Sequence, residues 1–298
     1  MKKNTLKKNT LLSKTTRRLK NKTRQISNIP IKYQYEDFSI ILPANHLLPT
    51  YQQECPKYDR FLPHLAKYLK NFDTIIDVGA NVGDTLAGMV EQNPTASYIC
   101  IEPDTIFYAH LQKNIERIKK SKPDLKVHTV KALVGKSVSG VSLEGNGGTK
   151  HAVINSQGTI ESKPLDKLVS EVTHPNIRLL KTDVDGFDYD VLDSSIAVIQ
   201  KHKPILFFEL QYDFEYQKDG YIKTLHSLES EGYFDWTIFD NFGEVMIRTQ
   251  DITVIIQLMH YVWNQNTGSA KRTIYYYDVL AVQKTDSTLI DQVLAAYQ

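Results

Sequence analysis

Short apolar runs rich in β-branched residues alternate with amphipathic stretches over most of this 298-residue chain. Each run has the length and composition of a buried strand, and the stretches between them carry apolar residues at helical spacing. The predicted core strands are 74–78, 97–101, 127–134, 178–184, 204–210 and 273–282. Because strands and helices alternate, we expect right-handed crossovers and a doubly wound, mostly parallel sheet of the α/β class.

The same pattern predicts the elements around these strands. Residues 31–42 predict a lead-in hairpin, 138–160 a polar β-excursion, and 236–239 a strand whose hairpin partner is 244–249. The predicted helices are 60–69, 84–90, 106–118, 164–169, 189–199, 219–230, 253–263 and 286–297. The length suits one large domain with appendages or two small domains.

The stretch from 74 to 102 carries the clearest chemical signal. Gly79 and Gly83 follow a strand, and glycine lets the backbone approach a ligand closely. The next helix opens at Asp84 with free N–H groups that favour an anionic group. Glu102 ends the following strand, where a carboxylate can accept both hydroxyls of a ribose. The stretch therefore predicts a site for a cofactor that contains a nucleoside.

The spacing of the glycines separates two classes of cofactor. Dinucleotide-binding proteins carry G-x-G-x-x-G at such a turn. This chain has DVGANVGDT at 77–85 and lacks that spacing, which disfavours an NAD-binding oxidoreductase. The turn resembles instead the first motif of S-adenosylmethionine (SAM) methyltransferases, with Asn81 where many members carry a glycine.

Acidic residues end several of the predicted strands. They are Asp77, Glu102, Asp183, Asp185 and Glu209. The carboxyl ends of parallel strands meet at one sheet edge, where ligands of such sheets bind. Methyl transfer to a hydroxyl needs a base or a metal; Asp183 is the first choice for the base, assisted by Asp185 or Glu209. Asp183 and Glu209 could also hold Mg²⁺.

Three motifs in order resemble the FkbM family of SAM-dependent methyltransferases. They are DVGANVGDT at 77–85, LLKTDVDGFDYDVL at 179–192 and PILFFEL at 204–210, and the resemblance covers roughly 58–212. It implies a class I, Rossmann-like sheet of seven strands with the last strand antiparallel. It also implies an O-methyltransferase that acts on a hydroxyl of a sugar, a glycan or a secondary metabolite.

The resemblance also implies roles for individual residues. The methionine portion of SAM would be held by Asp77, Gly79, Asn81 and Gly83. Thr85 would cap the adjoining helix, Glu102 would bind the ribose, and the strand end that begins at Ala132 would border the adenine. Asp185 and Asp188 stand where the family usually carries glutamate, which retracts each carboxylate by about one methylene.

The charge of the chain is unevenly distributed. Residues 1–30 hold seven lysines, three arginines and no acid, so the other 268 residues carry about −8 within a net charge of +2. The net negative charge of these 268 residues disfavours nucleic-acid binding. The [DNS]-P-P-[YFW] motif of nucleic-acid N-methyltransferases is also missing. We expect 1–28 to form a disordered basic tail without a signal peptide, which could contact anionic surfaces weakly.

The cysteine content and the hydropathy of the chain indicate the cellular compartment. The two cysteines, Cys55 and Cys100, make a disulfide framework or a zinc cluster improbable, and no apolar run reaches the length of a membrane helix. We therefore expect a cytoplasmic protein. Its predicted parts are the tail at 1–28, a lead-in hairpin and helix at 29–70, and a methyltransferase domain at 71–298. The oligomeric state is left open.

Two other functions compete with this interpretation. A catalytically inactive SAM-fold protein could serve as a binding or scaffold module, although intact Gly79, Gly83, Glu102 and Asp183 argue against decay. A nucleic-acid methyltransferase is the weaker alternative, because both the charge distribution and the missing motif oppose it.

Overall fold

The computed structural model describes residues 29–136, 139–145, 151–154, 158–170, 176–212, 214–268 and 273–297. The predicted tail at 1–28 lies outside them. The strands are β1 (Ile31–Gln34), β2 (Ser39–Leu42), β3 (Thr74–Val78), β4 (Ser97–Ile101), β5 (Lys126–Val130), β6 (Leu133–Val134), β7 (Val141–Glu144), β8 (His151–Ile154), β9 (Ser162–Lys163), β10 (Ile177–Thr182), β11 (Ile205–Gln211), β12 (Tyr233–Asp240), β13 (Val245–Thr249) and β14 (Tyr276–Gln283).

Helices follow most of the core strands in the described part of the chain. They are α1 (Leu48–Glu54), α2 (Phe61–Ala66), α3 (Asp84–Gln92), α4 (Thr105–Lys119), α5 (Leu165–Ser170), α6 (Asp188–Asp193), α7 (Ile196–His202), α8 (Glu215–Ser230), α9 (Ile252–Thr267) and α10 (Ser287–Tyr297). None of these helices combines the length and the apolar character that a membrane span requires.

The main sheet has eight strands in the order β13, β12, β14, β11, β10, β3, β4, β5. The pairs from β5 to β11 are parallel, whereas β14 runs antiparallel to both β11 and β12. The prediction of a mostly parallel sheet with an antiparallel last strand is therefore confirmed. The eighth strand, β13, extends the predicted seven as the hairpin partner of β12.

The order of the strands places a crevice near the middle of the sheet. From β3 the chain builds outward through β4 and β5, and it then returns to add β10 on the other side of β3. Ligands of open α/β sheets bind at the carboxyl ends of the strands where the order reverses in this way. The residues that follow β3 and β10 therefore face each other across the crevice.

Both faces of the sheet are covered, so its central strands are buried and mostly apolar. All five residues of β3 are buried. Ile75 packs into the apolar layer that contains the lead-in hairpin, and Ile76 packs into the layer on the opposite face. Successive side chains of a strand point to opposite faces, which explains why burial is continuous along this strand instead of alternating.

Two predicted elements are each divided in two. The strand expected at 127–134 ends at Val130, and β6 leaves the main sheet to pair with β9. The helix expected at 189–199 is broken between α6 and α7 by Ser194 and Ser195. Both serine hydroxyls donate to the carbonyl oxygen of Val191, at 2.8 and 2.6 Å. Serine side chains that bond to nearby backbone compete with the helix in this way.

Asn114 on α4 joins the lead-in hairpin to the turn after β3. Its Oδ1 accepts the N–H of Ile41 at 2.9 Å, and its Nδ2 donates to the carbonyl oxygens of Ile41 at 3.1 Å and Val82 at 2.8 Å. The side chain is buried. A single amide therefore fixes the glycine turn against the segment that covers it.

Asn114→Leu should lower the free energy of unfolding by about 3 kcal/mol, because the buried backbone groups of Ile41 and Val82 lose their partners. Urea denaturation of the full chain measures this change. Gln112→Leu, at an exposed position of the same helix, is the matched control and should change stability by less than about 0.5 kcal/mol. Similar losses of stability in the two variants would contradict the role assigned to the Asn114 side chain.

Candidate active site

A cavity of about 480 Å³ opens at the carboxyl ends of the central strands. Its floor carries residues that follow β3, β4 and β10, together with residues of β11 and β14. The walls come from the segment around Tyr51 and Tyr58 on one side and from the β7–β8 hairpin on the other. The predicted β-excursion and the lead-in segment therefore both border the same cavity.

The turn after β3 depends on glycine at two positions. Gly79 has a φ of 77°, and a Cβ there would lie 2.0 Å from the carbonyl oxygen of Asp183. Gly83 has a φ of 84° at the start of α3, and a Cβ there would lie 2.8 Å from Leu111. Asn81 also has a positive φ, 49°, which asparagine tolerates better than most residues. The turn thus packs directly against the end of β10.

Glu102 lies at the end of β4 and faces this turn. One carboxylate oxygen accepts the N–H of Asn81 at 2.8 Å, and the other accepts the N–H of Asp104 at 2.8 Å. Burial nevertheless raises the pKa of Glu102 to about 7. A carboxylate oxygen has two lone-pair sites, so each oxygen can still accept a hydroxyl from the cavity.

Lys181 of β10 lies beneath the turn and was missed by the sequence reasoning. Its ammonium is 2.9 Å from Asp77 Oδ1, 3.1 Å from the carbonyl oxygen of Gly79 and 3.5 Å from Asp183 Oδ2. Burial disfavours a charged lysine, but the carboxylates of Asp77 and Asp183 outweigh this and raise the pKa of Lys181 above its usual value. The side chain therefore stays charged and holds the turn and the end of β10 together.

The signal in the sequence that could have identified Lys181 was its charge within a predicted apolar strand. Lys181 and Asp77 are directly paired in the β3–β10 register, which only the strand order reveals. Asp77 accordingly lies below the cavity, fully buried, and does not line it.

The acids after β10 occupy different environments. Asp183 has 53% of its side chain exposed and lines the cavity. Asp185 also lines the cavity and has a φ of 51°, next to Gly186 at 87°. Asp188 is buried and accepts the hydroxyl of Thr182 at 2.8 Å, and burial raises its pKa to about 8. Asp188 thus stabilises the loop, while Asp183 and Asp185 face the cavity.

Seven of the ten predicted site residues line the cavity. They are Gly79, Asn81, Thr85, Glu102, Asp183, Asp185 and Glu209. Asp77 and Gly83 do not line the cavity. Asp77 contacts Lys181, and Gly83 lies at the start of α3. Ala132 does not line the cavity. Because β5 ends at Val130 and β6 pairs with β9, Leu133 and Val134 line the cavity, whereas Ala132 packs against the apolar layer.

Within the described residues, no group of three or more His, Cys, Asp or Glu side chains is arranged to hold a metal ion. The suggestion of Mg²⁺ at Asp183 and Glu209 therefore gains no support. The cavity also contains acids that the sequence reasoning did not select, notably Asp59 and Asp278.

The model of the methyltransferase FkbM domain matches residues 77–245, which is more than half of the chain. The chain belongs to the FkbM methyltransferase family. The resemblance expected from the three motifs is confirmed, and so is the Rossmann-like α/β fold. No match was found among curated proteins.

Several solved methyltransferase structures are similar to the chain. The FkbM methyltransferase of Methylobacillus flagellatus KT is 14% identical, with a TM-score of 0.44; the match covers 79% of this chain and 58% of that protein. An O-methyltransferase of Bacillus cereus, solved with S-adenosylhomocysteine (SAH), is 9% identical over 80% of this chain and 89% of its own, with a TM-score of 0.44. Aeropyrum pernix fibrillarin, solved with SAM, is 10% identical over 75% and 76%, with a TM-score of 0.40.

Lys181→Met should destabilise the protein by about 3–5 kcal/mol, because Asp77 would remain buried without its counter-charge. Adding Asp77→Asn should recover part of this loss, and chemical denaturation of both single variants and the double variant measures the coupling. Lys113→Met, at an exposed position of α4, is the control. A double variant less stable than Lys181→Met alone would contradict a buried ion pair.

Proposed function

We propose that this chain is a SAM-dependent O-methyltransferase that acts on a hydroxyl of a sugar, a glycan or a secondary metabolite. One observation carries the proposal. The glycine turn, the Glu102 carboxylate and the Asp183 carboxylate all line a single cavity at the reversal point of the sheet. A cofactor site and a candidate base thus share one space, as group transfer between two bound molecules requires.

The residues present fit SAM. Gly79 lets the turn pack against the Asp183 backbone, where a Cβ could not stand, and the methionine portion would lie along this turn. Glu102 would accept the ribose hydroxyls. Leu133, Val134 and the apolar side chains of the β7–β8 hairpin would border the adenine, in place of Ala132. Asp77 would act indirectly, by keeping Lys181 in position under the turn.

When bound, SAM supplies a methyl group on a positively charged sulfur. The acceptor oxygen forms a bond to the methyl carbon as the carbon–sulfur bond breaks, and the electron pair of that bond stays on sulfur. Asp183 would take the proton that the hydroxyl loses. Lys181 would orient Asp183 from below, and alignment of the two reactants would supply much of the rate.

Glu209 is less suited than Asp183 to act as the base. Burial, followed by repulsion from Asp183, raises the pKa of Glu209 well above its usual range. A carboxylic acid that already holds its proton cannot accept another. Asp185 could assist Asp183 from the same loop, whereas we assign Glu209 to binding.

The charge of the cavity argues against a nucleic-acid acceptor. Nine carboxyl side chains and one lysine, Lys181, are among its lining residues. Phosphate backbones are bound through lysine and arginine, so an acidic cavity would repel them. The domain boundaries at 29, 71 and 298, a cytoplasmic location and weak contact of the basic tail with anionic surfaces stay predictions.

SAM should bind with micromolar affinity, NAD should not bind, and Glu102→Ala should abolish SAM binding. Isothermal titration calorimetry measures all three.

The raised pKa of Glu102 makes the affinity for SAM depend on pH. Glu102 holds a proton below about pH 7 and loses it above, and only the carboxylate accepts both ribose hydroxyls well. SAM affinity should therefore rise about tenfold from pH 6 to pH 8.

Glu102→Gln is the control for the pH dependence, because its amide does not titrate and its affinity for SAM should vary little between the two pH values. An equally steep profile in this variant would remove Glu102 from the ribose site. Failure of the folded wild-type protein to bind SAM would favour the scaffold alternative.

Asp183→Asn should reduce turnover by roughly 10²-fold or more while SAM affinity stays nearly unchanged, the scale expected for loss of a general base. Release of SAH in the presence of a panel of hydroxyl acceptors measures turnover. Asp219→Asn makes the same chemical change at an exposed position of α8 and should have no effect. Unchanged turnover in Asp183→Asn would assign the base to another residue.

A further inference from the structure

Three carboxyl groups stand in a row on the cavity floor. Glu209 of β11 and Asp278 of β14 are directly opposite each other in the antiparallel register. Asp183 follows Thr182, whose partner on β11 is Phe208, the residue before Glu209. Side chains that are directly opposite lie on one face of the sheet, with Cβ atoms about 5 Å apart. All three carboxyl groups line the cavity.

Such a row is unfavourable unless a cation or a proton neutralises it, because like charges directly opposite destabilise a sheet. Burial, and then the charge of Asp183, raises the pKa of both Glu209 and Asp278 well above the usual range. Lys181 contributes little to Glu209, since its ammonium contacts Asp77, the Gly79 carbonyl and Asp183. The floor therefore holds more carboxyl groups than cations, and two of them keep their protons unless a bound cation replaces them.

A second observation indicates that something donates to this floor. Glu209 is only 6% exposed, and its Oε2 is buried without a hydrogen-bond partner among the described residues. A buried acceptor with no donor costs about 1–3 kcal/mol. Because Glu209 lines the cavity, a bound molecule can supply the missing donor. A charged N–H group would form the strongest such bond.

The rest of the cavity wall near this row suits a cation. Asp59 also lines this wall. Tyr58 and Tyr276 also line the cavity. Tyrosine rings next to carboxylates are a common environment for bound ammonium groups.

We propose that the methyl acceptor carries an ammonium group close to the hydroxyl that is methylated, and that Glu209 and Asp278 bind this ammonium. The inference rests on the proposed methyltransferase function, since Asp183 in the same row is the candidate base. The acceptor class is an amino alcohol, such as an amino sugar that carries both groups on adjacent carbons. Glu209 and Asp278 then determine specificity, while Asp183 takes the proton.

Amino sugars and their N-acetyl counterparts test this directly, because acetylation removes the charge and leaves the hydroxyls. The probes are glucosamine, galactosamine and mannosamine, each paired with its N-acetyl form and titrated into the protein saturated with SAH. At least one amine should bind ten or more times more tightly than its N-acetyl partner. Glu209→Gln and Asp278→Asn should each abolish this preference. Asp219→Asn, at an exposed position of α8, should keep this preference.

The affinity for SAM of each variant is measured first and should stay within about threefold of the wild type. Equal binding, or no binding, within all three pairs would overturn the inference while leaving the methyltransferase function intact. A large loss of SAM affinity in Glu209→Gln and Asp278→Asn would also overturn it, because the row would then serve the ammonium of SAM itself. A wild-type protein that does not bind SAM would overturn the proposed function together with this inference.

Discussion

The buried ammonium of Lys181 is the interaction on which the site depends. It neutralises Asp77 within the sheet and donates to the carbonyl oxygen of Gly79 in the turn above. The same group reaches Asp183, whose backbone lies too close to Gly79 for any side chain there. Removing the charge would therefore disturb the cofactor turn and the candidate base together, because both contact the Lys181 ammonium.

Around this point the protein concentrates carboxyl groups in one cavity. Glu102 on one side and the row of Asp183, Glu209 and Asp278 on the other all face the cavity. Carboxyl groups placed in this way resist ionisation until a ligand supplies hydrogen-bond donors or positive charge. The cavity is thus complementary to cationic molecules. Both the positively charged cofactor of the proposed reaction and an ammonium-bearing acceptor have this property.

The sequence predicted those parts of the site that are encoded locally. The glycine turn, Glu102 at a strand end and the acids after β10 are each recognisable within a few residues of a strand. The features it missed arise between strands. Lys181 opposite Asp77, and Asp278 opposite Glu209, become visible only with the strand order and register. The position of Ala132 outside the cavity has a similar cause, because β6 pairs with β9 and leaves the main sheet.

A crystal structure of the protein with bound SAH tests the central claim most directly, because it shows whether one cavity serves both the cofactor and the candidate base. The account predicts both ribose hydroxyls within about 2.7 Å of the Glu102 carboxylate. It also predicts the methionine portion along the Gly79 turn and the sulfur facing the Asp183 side of the cavity. A ribose placed away from Glu102, or a sulfur facing away from Asp183, would contradict it.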